Sequence, residues 1–326
     1  MSTKQRTLEL LEKNRGQFLS GAEIAKALNI SRNSVWKAIH SLKNEAYQIE
    51  AVSNRGYKLT EDNNILSVAG IIPNLLNEDW AANINIFSTL ESTNKTAKEM
   101  AIQGYDHGTV IIADSQTAGK GRLGRLFHSP SGSGIYLSFI LLPESLAFEN
   151  PTAVTAFAAV AVCEAIETVT EKTPKIKWVN DIFLDGIKIC GILTEAISDL
   201  ENKSFQWIVL GIGINVNTSI DDFPEELRDI AGSIYPDGQI PITRNKLAAA
   251  LINNILGEPR YGSEQALYEK YKDYLFIIGQ KIMVTDRQNT YEATAMDINS
   301  VGHLIVKKEN GEIVTLVSGE VSIRPQ

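Results

Sequence analysis

At 326 residues the chain is longer than one domain usually runs, and its 44% hydrophobic and 21% charged residues are the balance of a folded globular protein without low-complexity tracts. The net charge of −8 excludes a chain basic throughout, yet residues 1–60 carry ten Lys/Arg against five Asp/Glu, a local +5 that leaves −13 for the remainder. Charges interrupt the leucines of the first sixteen residues, the apolar run 152–166 is short for a bilayer span, and Cys163 and Cys190 stand far apart, which predicts a cytoplasmic protein with buried thiols and no membrane contact.

In the basic head, Leu8 and Leu11 begin one amphipathic helix, and Ser20 with Glu23 forms a capping box for a second, from Gly21 to Leu28. After the turn Asn29-Ile30, Ser31 caps a third helix. Val35, Ile39, Leu42 and Ala46 recur on its inner face; Asn33, Lys37, His40 and Asn44 occupy the other. Segments 48–52 and 57–59 read as strands around Asn54-Arg55-Gly56, a wing with Arg55 at its tip. This is the pattern of a winged helix-turn-helix that meets DNA through Ser31, Arg32, Asn33, Ser34, Lys37 and Arg55. A protein-docking module with a solvated basic face is the alternative.

From Leu66 strands and helices alternate. Ile84 and Ile86 begin a strand, Ser92 caps a helix to about Ile102, and 109–113 is a buried strand. The loop 116–125 then sets three glycines among Lys120, Arg122 and Arg125, before a strand over 135–142. Glycines let successive NH groups converge on an anion and the cations supply charge, so a phosphate-bearing ligand is predicted here; a mobile basic loop is the bland alternative. The loop lacks the Walker pattern, and Val216 breaks the dinucleotide fingerprint at Gly211-Ile212-Gly213.

Asp185-Gly186 between apolar runs predicts a hairpin. Alternation past it puts Ile187 and Ile189 on one face and Lys188 with Cys190 on the other, making Lys188 a cation carried on a strand. A buried strand follows over 207–214, then helices over 243–256 and 263–275. Four short strands, at 281–285, 291–298, 303–307 and 313–317, with Asn310-Gly311 as a turn, predict a small terminal β-barrel. His107, His128 and His303 lack ligand spacing, so no metal cage is predicted.

Taken together, Glu91-Ser92-Thr93-Asn94, Gln116 with 119–125, Ser129-Pro130-x-Gly132, Lys177-Trp178-Val179-Asn180-Asp181, Lys188 with Gly191, and Ser318-Gly319-Glu320 resemble the bifunctional biotin-protein ligase/biotin operon repressor family along essentially the whole chain. The resemblance implies a multidomain α+β protein: a winged helix-turn-helix at 1–64, a mixed α/β ligase domain of class II synthetase type at 65–276, and an SH3-like barrel at 277–326. It implies that biotin's carboxylate attacks the α-phosphate of ATP, with Mg2+, and that a lysine of a biotin carboxyl carrier domain then takes the biotinyl group. Lys188 and Arg122 are the implied catalytic cations. Ser92, Thr93, Asn94, Gln116, Lys120, Gly121, Arg122, Lys188 and Gly191 would hold biotin, and Lys120, Arg122, Arg125, Phe127 and Asn215 the nucleotide. Asp181 would orient the carrier lysine or support the hairpin, and Trp178 would be cofactor wall or core.

Adenylate binding would favour a homodimer that grips palindromic operator DNA. Three residues depart from the family: Lys120 where Arg is usual, Val179 for Pro and Phe127 for Trp. A biotin-sensing regulator without ligase activity, and a lipoyl or octanoyl transferase of the same architecture, are the competing readings.

Overall fold

The computed structural model describes residues 2–146, 151–199, 204–238, 242–258, 261–286, 289–317 and 320–323. In the head, serines open all three helices: α1 (Thr3–Lys13), α2 (Gly21–Leu28) and α3 (Arg32–Asn44) are capped by the side chains of Ser2, Ser20 and Ser31. Leu8, Leu11, Ile24, Val35, Ile39 and Leu42 close a core of their own, completed by Leu59 of the wing. The wing pairs β1 (Ile49–Val52) with β2 (Gly56–Leu59). Ala46 leaves the predicted inner face, because α3 ends at Asn44 and Ala46 turns into the left-handed region at φ 67°, exposed; Ala38 takes the buried position.

The head is tied to the body through its linker. Arg15 donates to the carbonyls of Thr60 and Asn63 at 3.0 and 2.8 Å, and the buried Arg244 donates to the carbonyl of Asn64 while pairing with Asp114 at 2.7 Å. The short α4 (Val68–Ile71) follows, packed on α1.

The body is a seven-stranded sheet in the order β3-β4-β5-β9-β8-β7-β6. Its strands are β3 (Ile84–Leu90), β4 (Thr109–Gln116), β5 (Gly134–Leu141), β6 (Lys175–Lys177), β7 (Asp181–Leu184), β8 (Ile187–Asp199) and β9 (Ser204–Asn215); only β3 and β4 run parallel. Strand periodicity sorts the faces. Ile135, Leu137 and Phe139, with Leu210, Ile212 and Ile214, meet a helix layer of α6 (Pro151–Thr170), α7 (Arg244–Leu256) and α8 (Glu264–Tyr274). The opposite face is half covered by α5 (Thr93–Ile102), through Ala97, Met100 and Ala101. The uncovered half of that face is open to a ligand.

α6 corrects one sequence argument. Its apolar stretch runs over Thr152–Thr170, long enough to cross a membrane, so shortness does not exclude a span. Its surroundings account for it: 72% of the apolar window is buried, against α7, α8 and β8. Cys163 and Cys190 are buried free thiols.

The terminal strands β10 (Lys281–Asp286), β11 (Asn289–Ile298), β12 (Leu304–Lys308), β13 (Ile313–Leu316) and β14 (Glu320–Ile323) form one antiparallel sheet in the order β13-β12-β11-β10-β14. Its apolar face, including Ile282, Val284 and Leu304, continues the core of the body, and Trp178 Nε1 donates to the carbonyl of Gly302 at 3.0 Å.

Candidate active site

A cavity of about 830 Å³ opens on the uncovered sheet face. Its floor is made by omission. Across the central strands Tyr136, Gly213 and Gly191 stand in one row and Ser138, Gly211 and Leu193 in the next. A Cβ on Gly213 would meet the Phe127 ring at 2.6 Å, and one on Gly211 would meet Asn94 Oδ1 at 2.0 Å. Gly211 and Gly213 therefore clear the site face while Ile212 and Ile214, alternating with them, fill the core.

Every residue predicted for biotin or nucleotide lines this one cavity: Ser92, Thr93, Asn94, Gln116, Lys120, Gly121, Arg122, Arg125, Phe127, Lys188, Gly191 and Asn215. They arrive from the start of α5, the ends of β4 and β9, the first half of β8 and the loop between β4 and β5. Ser92 stands at the N-cap of α5 but makes no side-chain capping bond, contrary to its predicted cap role, so its hydroxyl is left to the cavity. Thr93 N–H donates to Gln116 Oε1 at 2.8 Å, and Gln116 Nε2 donates to Ser129 Oγ at 2.9 Å. Ser138, fully buried, lies 2.8 Å from Thr93 Oγ1 and donates to Asn94 Oδ1 at 2.7 Å. Asn94 Nδ2 donates to Glu195 Oε2 at 2.8 Å, and Glu195 pairs with Lys98. Burial raises the Glu195 carboxyl, but the bonds from Lys98 and Asn94 outweigh it and hold the group below the usual carboxylate range.

The glycine- and cation-rich loop folds back on itself. Gly121 N–H donates to the carbonyl of Arg125 at 2.8 Å, Phe127 N–H to that of Gly119 at 2.9 Å, and Lys120 bridges Leu126. At Gly119 the close approach is obligatory, since a Cβ would sit 2.4 Å from the Phe127 carbonyl oxygen. Arg122 Nη1 donates to Asn180 Oδ1 at 3.1 Å, fastening the loop to the start of β7. Leu123, at φ 56°, and Leu126 are about three-quarters exposed at its tip, with 77% and 76% of their surface open.

Lys188 sits on β8, but simple alternation fails there. Cys190 pairs with Ile182 and Lys188 with Phe183, so Ile189 is an extra residue in a β-bulge. The predicted faces are therefore split: Cys190 and Ile189 are both buried in the helix-side core, Ile187 is 38% exposed, and Lys188 shares the cavity with Gly191. Lys188 Nζ pairs with Asp181 Oδ1 at 2.7 Å. Burial pushes the Cys190 thiol far up, leaving it no nucleophilic role. Trp178 is core at 3% exposure, although its edge touches the cavity. The Trp178–Val179 peptide is cis.

Several lining groups escaped the sequence reading. The His128 and Phe223 rings meet at a tilt, 5.7 Å apart, Gly211 and Gly213 form the floor, and Thr285, Val321 and Ser322 of the terminal sheet complete one wall. Asn215 Nδ2 donates to the carbonyl of Gly232 at 3.0 Å, and its Oδ1 is buried without a partner. Of the motif Ser318-Gly319-Glu320, Ser318 and Gly319 lie outside the described residues. Among the described residues no group of three His, Cys, Asp or Glu stands ready to hold a metal.

On the head, Arg32, Asn33 and Lys37 are exposed on α3, and the Ser31 and Ser34 hydroxyls are 2.9 Å apart at its start. Arg55 does not simply project from the wing: its guanidinium lies over the Phe18 ring at 4.2 Å. Trp36, 55% exposed and stacked on His40, is an unpredicted aromatic on the outward face.

A sheet with a cleared face, a loop of cations over it and a helix-turn-helix in front define a biotin/lipoate-type protein ligase with a DNA-binding head. Residues 86–215 match the biotin/lipoate A/B protein ligase family, 3–58 an HTH domain, and 277–324 the biotin protein ligase C-terminal domain. The bifunctional ligase/repressor BirA of Bacillus spizizenii is 35% identical, over 97% of this chain and 97% of that protein; the Escherichia coli protein of that name is 26% identical, over 95% and 94%. The solved structure of Aquifex aeolicus biotin protein ligase in complex with biotin and ATP superposes with a TM-score of 0.63 at 29% identity, covering 75% of this chain and 99% of that one. The chain belongs to the bifunctional ligase/repressor BirA family.

Proposed function

We propose that the cavity carries out two-step biotin–protein ligation and that the head reports its occupancy to DNA. First, a biotin carboxylate oxygen bonds to the α-phosphorus of ATP while the bond to diphosphate breaks, giving biotinyl-5'-AMP. Then a neutral carrier lysine attacks the acyl carbon, AMP departs, and the new amide sheds a proton. The observation that carries this reading is the convergence of Lys188, Lys120, Arg122 and Arg125 with the polar cluster Ser92, Thr93, Asn94 and Gln116 on one cavity.

Two anions must meet in the first step, and negative charge grows at the α-phosphate, so fixed cations are where the rate enhancement comes from. Lys188 stands between the carboxylate and the α-phosphate, its ammonium anchored by Asp181. Arg122, braced by Asn180, acts with it, while Lys120, Gly121 and Arg125 close the loop over phosphate. Ser92, Thr93, Asn94, Gln116 and Gly191 hold the biotin head group. Phe127 and Asn215 flank the nucleotide, for which the unpartnered Asn215 Oδ1 offers an acceptor. Asp181 also steers the carrier lysine. Mg2+ would come with ATP, held largely by its phosphates and by water.

The units are 1–64, 65–276 and 277–326, in a cytoplasmic protein. Adenylate-bound chains pair, and Ser31, Arg32, Asn33, Ser34, Lys37 and Arg55 of each contact one half of a palindromic operator. The test is a gel shift on an inverted-repeat promoter with and without biotin and ATP. No effect of the two ligands would remove the sensing role, and transfer of lipoate in preference to biotin would overturn the substrate.

A further inference from the structure

We propose that Glu195, which lies behind the cavity wall, is a positioning residue that sets the hydrogen-bond polarity of the biotin pocket. The inference rests on the assignment of Thr93, Asn94 and Gln116 to the biotin head group. Glu195 does not line the cavity, yet it decides which way the amide of Asn94 points.

An ionised carboxylate only accepts, so the side of Asn94 that faces Glu195 must be Nδ2, at 2.8 Å. The carbonyl of Leu193, 3.3 Å from the same nitrogen, agrees. Asn94 Oδ1 is thereby turned on Ser138, which is fully buried and donates to it at 2.7 Å. Ser138 has a single proton. Committed to Asn94, it leaves the lone pairs of Thr93 Oγ1, 2.8 Å away, to the cavity, while the Thr93 hydroxyl donates to Gln116 Oε1 at 3.2 Å. The pocket wall at Thr93 thus presents an oxygen acceptor, which suits an N–H group of a cyclic urea such as the biotin head.

Lys98 makes the device testable. Its ammonium, a donor only, pairs with the other oxygen of Glu195. In Glu195→Gln the new amide must turn its oxygen to Lys98 and so its NH2 to Asn94. Asn94 then reverses, offers its own NH2 to Ser138, and inverts the chain. Replacing Lys98 as well lets the new amide turn back.

The experiment measures biotin-dependent pyrophosphate release by the full chain, varying biotin at saturating ATP and the reverse. Glu195→Gln should raise KM for biotin about tenfold while kcat and KM for ATP stay within about twofold. Glu195→Ala, which leaves the Leu193 carbonyl to hold Asn94 in its parental orientation, should be less impaired than Glu195→Gln; a purely structural role gives the opposite order. Lys98→Met combined with Glu195→Gln should recover most of the lost affinity. Parental KM for biotin in both Glu195 variants, or a double variant as impaired as Glu195→Gln, overturns the proposal. Should Glu195→Gln not fold, Glu195→Ala against the parent decides. Gln116→Ala separates the levels: if it leaves KM for biotin unchanged, the pocket assignment itself is wrong; if it raises KM where neither Glu195 variant does, the positioning role alone fails.

Discussion

Adding one methyl group at Gly211 should damage the biotin pocket severely. The new Cβ would lie 2.0 Å from Asn94 Oδ1, 2.8 Å from Asn94 Cγ and 3.0 Å from Nδ2. Gly211 is paired on both sides, to Ser138 of β5 and Leu193 of β8, so the strand cannot yield and Asn94 must. Asn94 then loses its bonds to Ser138 and Glu195. A neutral hydrogen bond contributes about 1 kcal/mol and one to a charged group about 2 kcal/mol. If biotin must restore this geometry to bind, the sum of about 3 kcal/mol corresponds to roughly a hundredfold loss of affinity. Titration calorimetry of Gly211→Ala with biotin gives Kd directly. Gly262→Ala is the control, because a Cβ there meets nothing within 4 Å. Gly211→Ala with the parental Kd would refute the reasoning that the glycine floor shapes this pocket.

Lys188→Ala should lower adenylate formation by about 100- to 1000-fold and Lys120→Ala by about tenfold, read as biotin-dependent exchange of labelled pyrophosphate into ATP; equal losses would show the wrong cation had been singled out. Arg244→Met removes a buried guanidinium together with its bonds to Asp114 and to the carbonyls of Asn64 and Gly134, and should cost about 3 kcal/mol in urea unfolding, with a smaller loss indicating that the linker holds by other contacts. Burial holds His107 below its ordinary pKa of 6.5. Protonation is therefore disfavoured in the folded state, and His107 contributes stability that is present above pH 6.5 and lost as pH falls through the folded value. His107→Gln should flatten the acid limb of the stability curve, and an unchanged limb would refute the linkage.

Local chemistry was legible from the sequence where one stretch of chain decides the outcome. Ser20 and Ser31 cap their helices as their neighbours dictate. Asp185 and Gly186 both take positive φ, 50° and 82°, as a two-residue hairpin requires. The grouping of Lys188 with Cys190 failed because a bulge opposite β7 is a property of two strands, invisible in one. The floor was missed for a related reason. Gly211 and Gly213 have no side chain to signal a role, and their function exists only where Phe127 and Asn94 arrive from distant segments. Glu195 carries no motif at all; its place follows from pairing with Asn94, 101 residues away.

The measurement that bears most directly on the proposed function is transfer of labelled biotin to a biotin carboxyl carrier domain by the purified full chain with ATP and Mg2+. Label should appear on the carrier lysine, require ATP, and disappear with Lys188→Ala. Absence of transfer by the intact chain, or undiminished transfer by Lys188→Ala, would contradict the role given to this cavity.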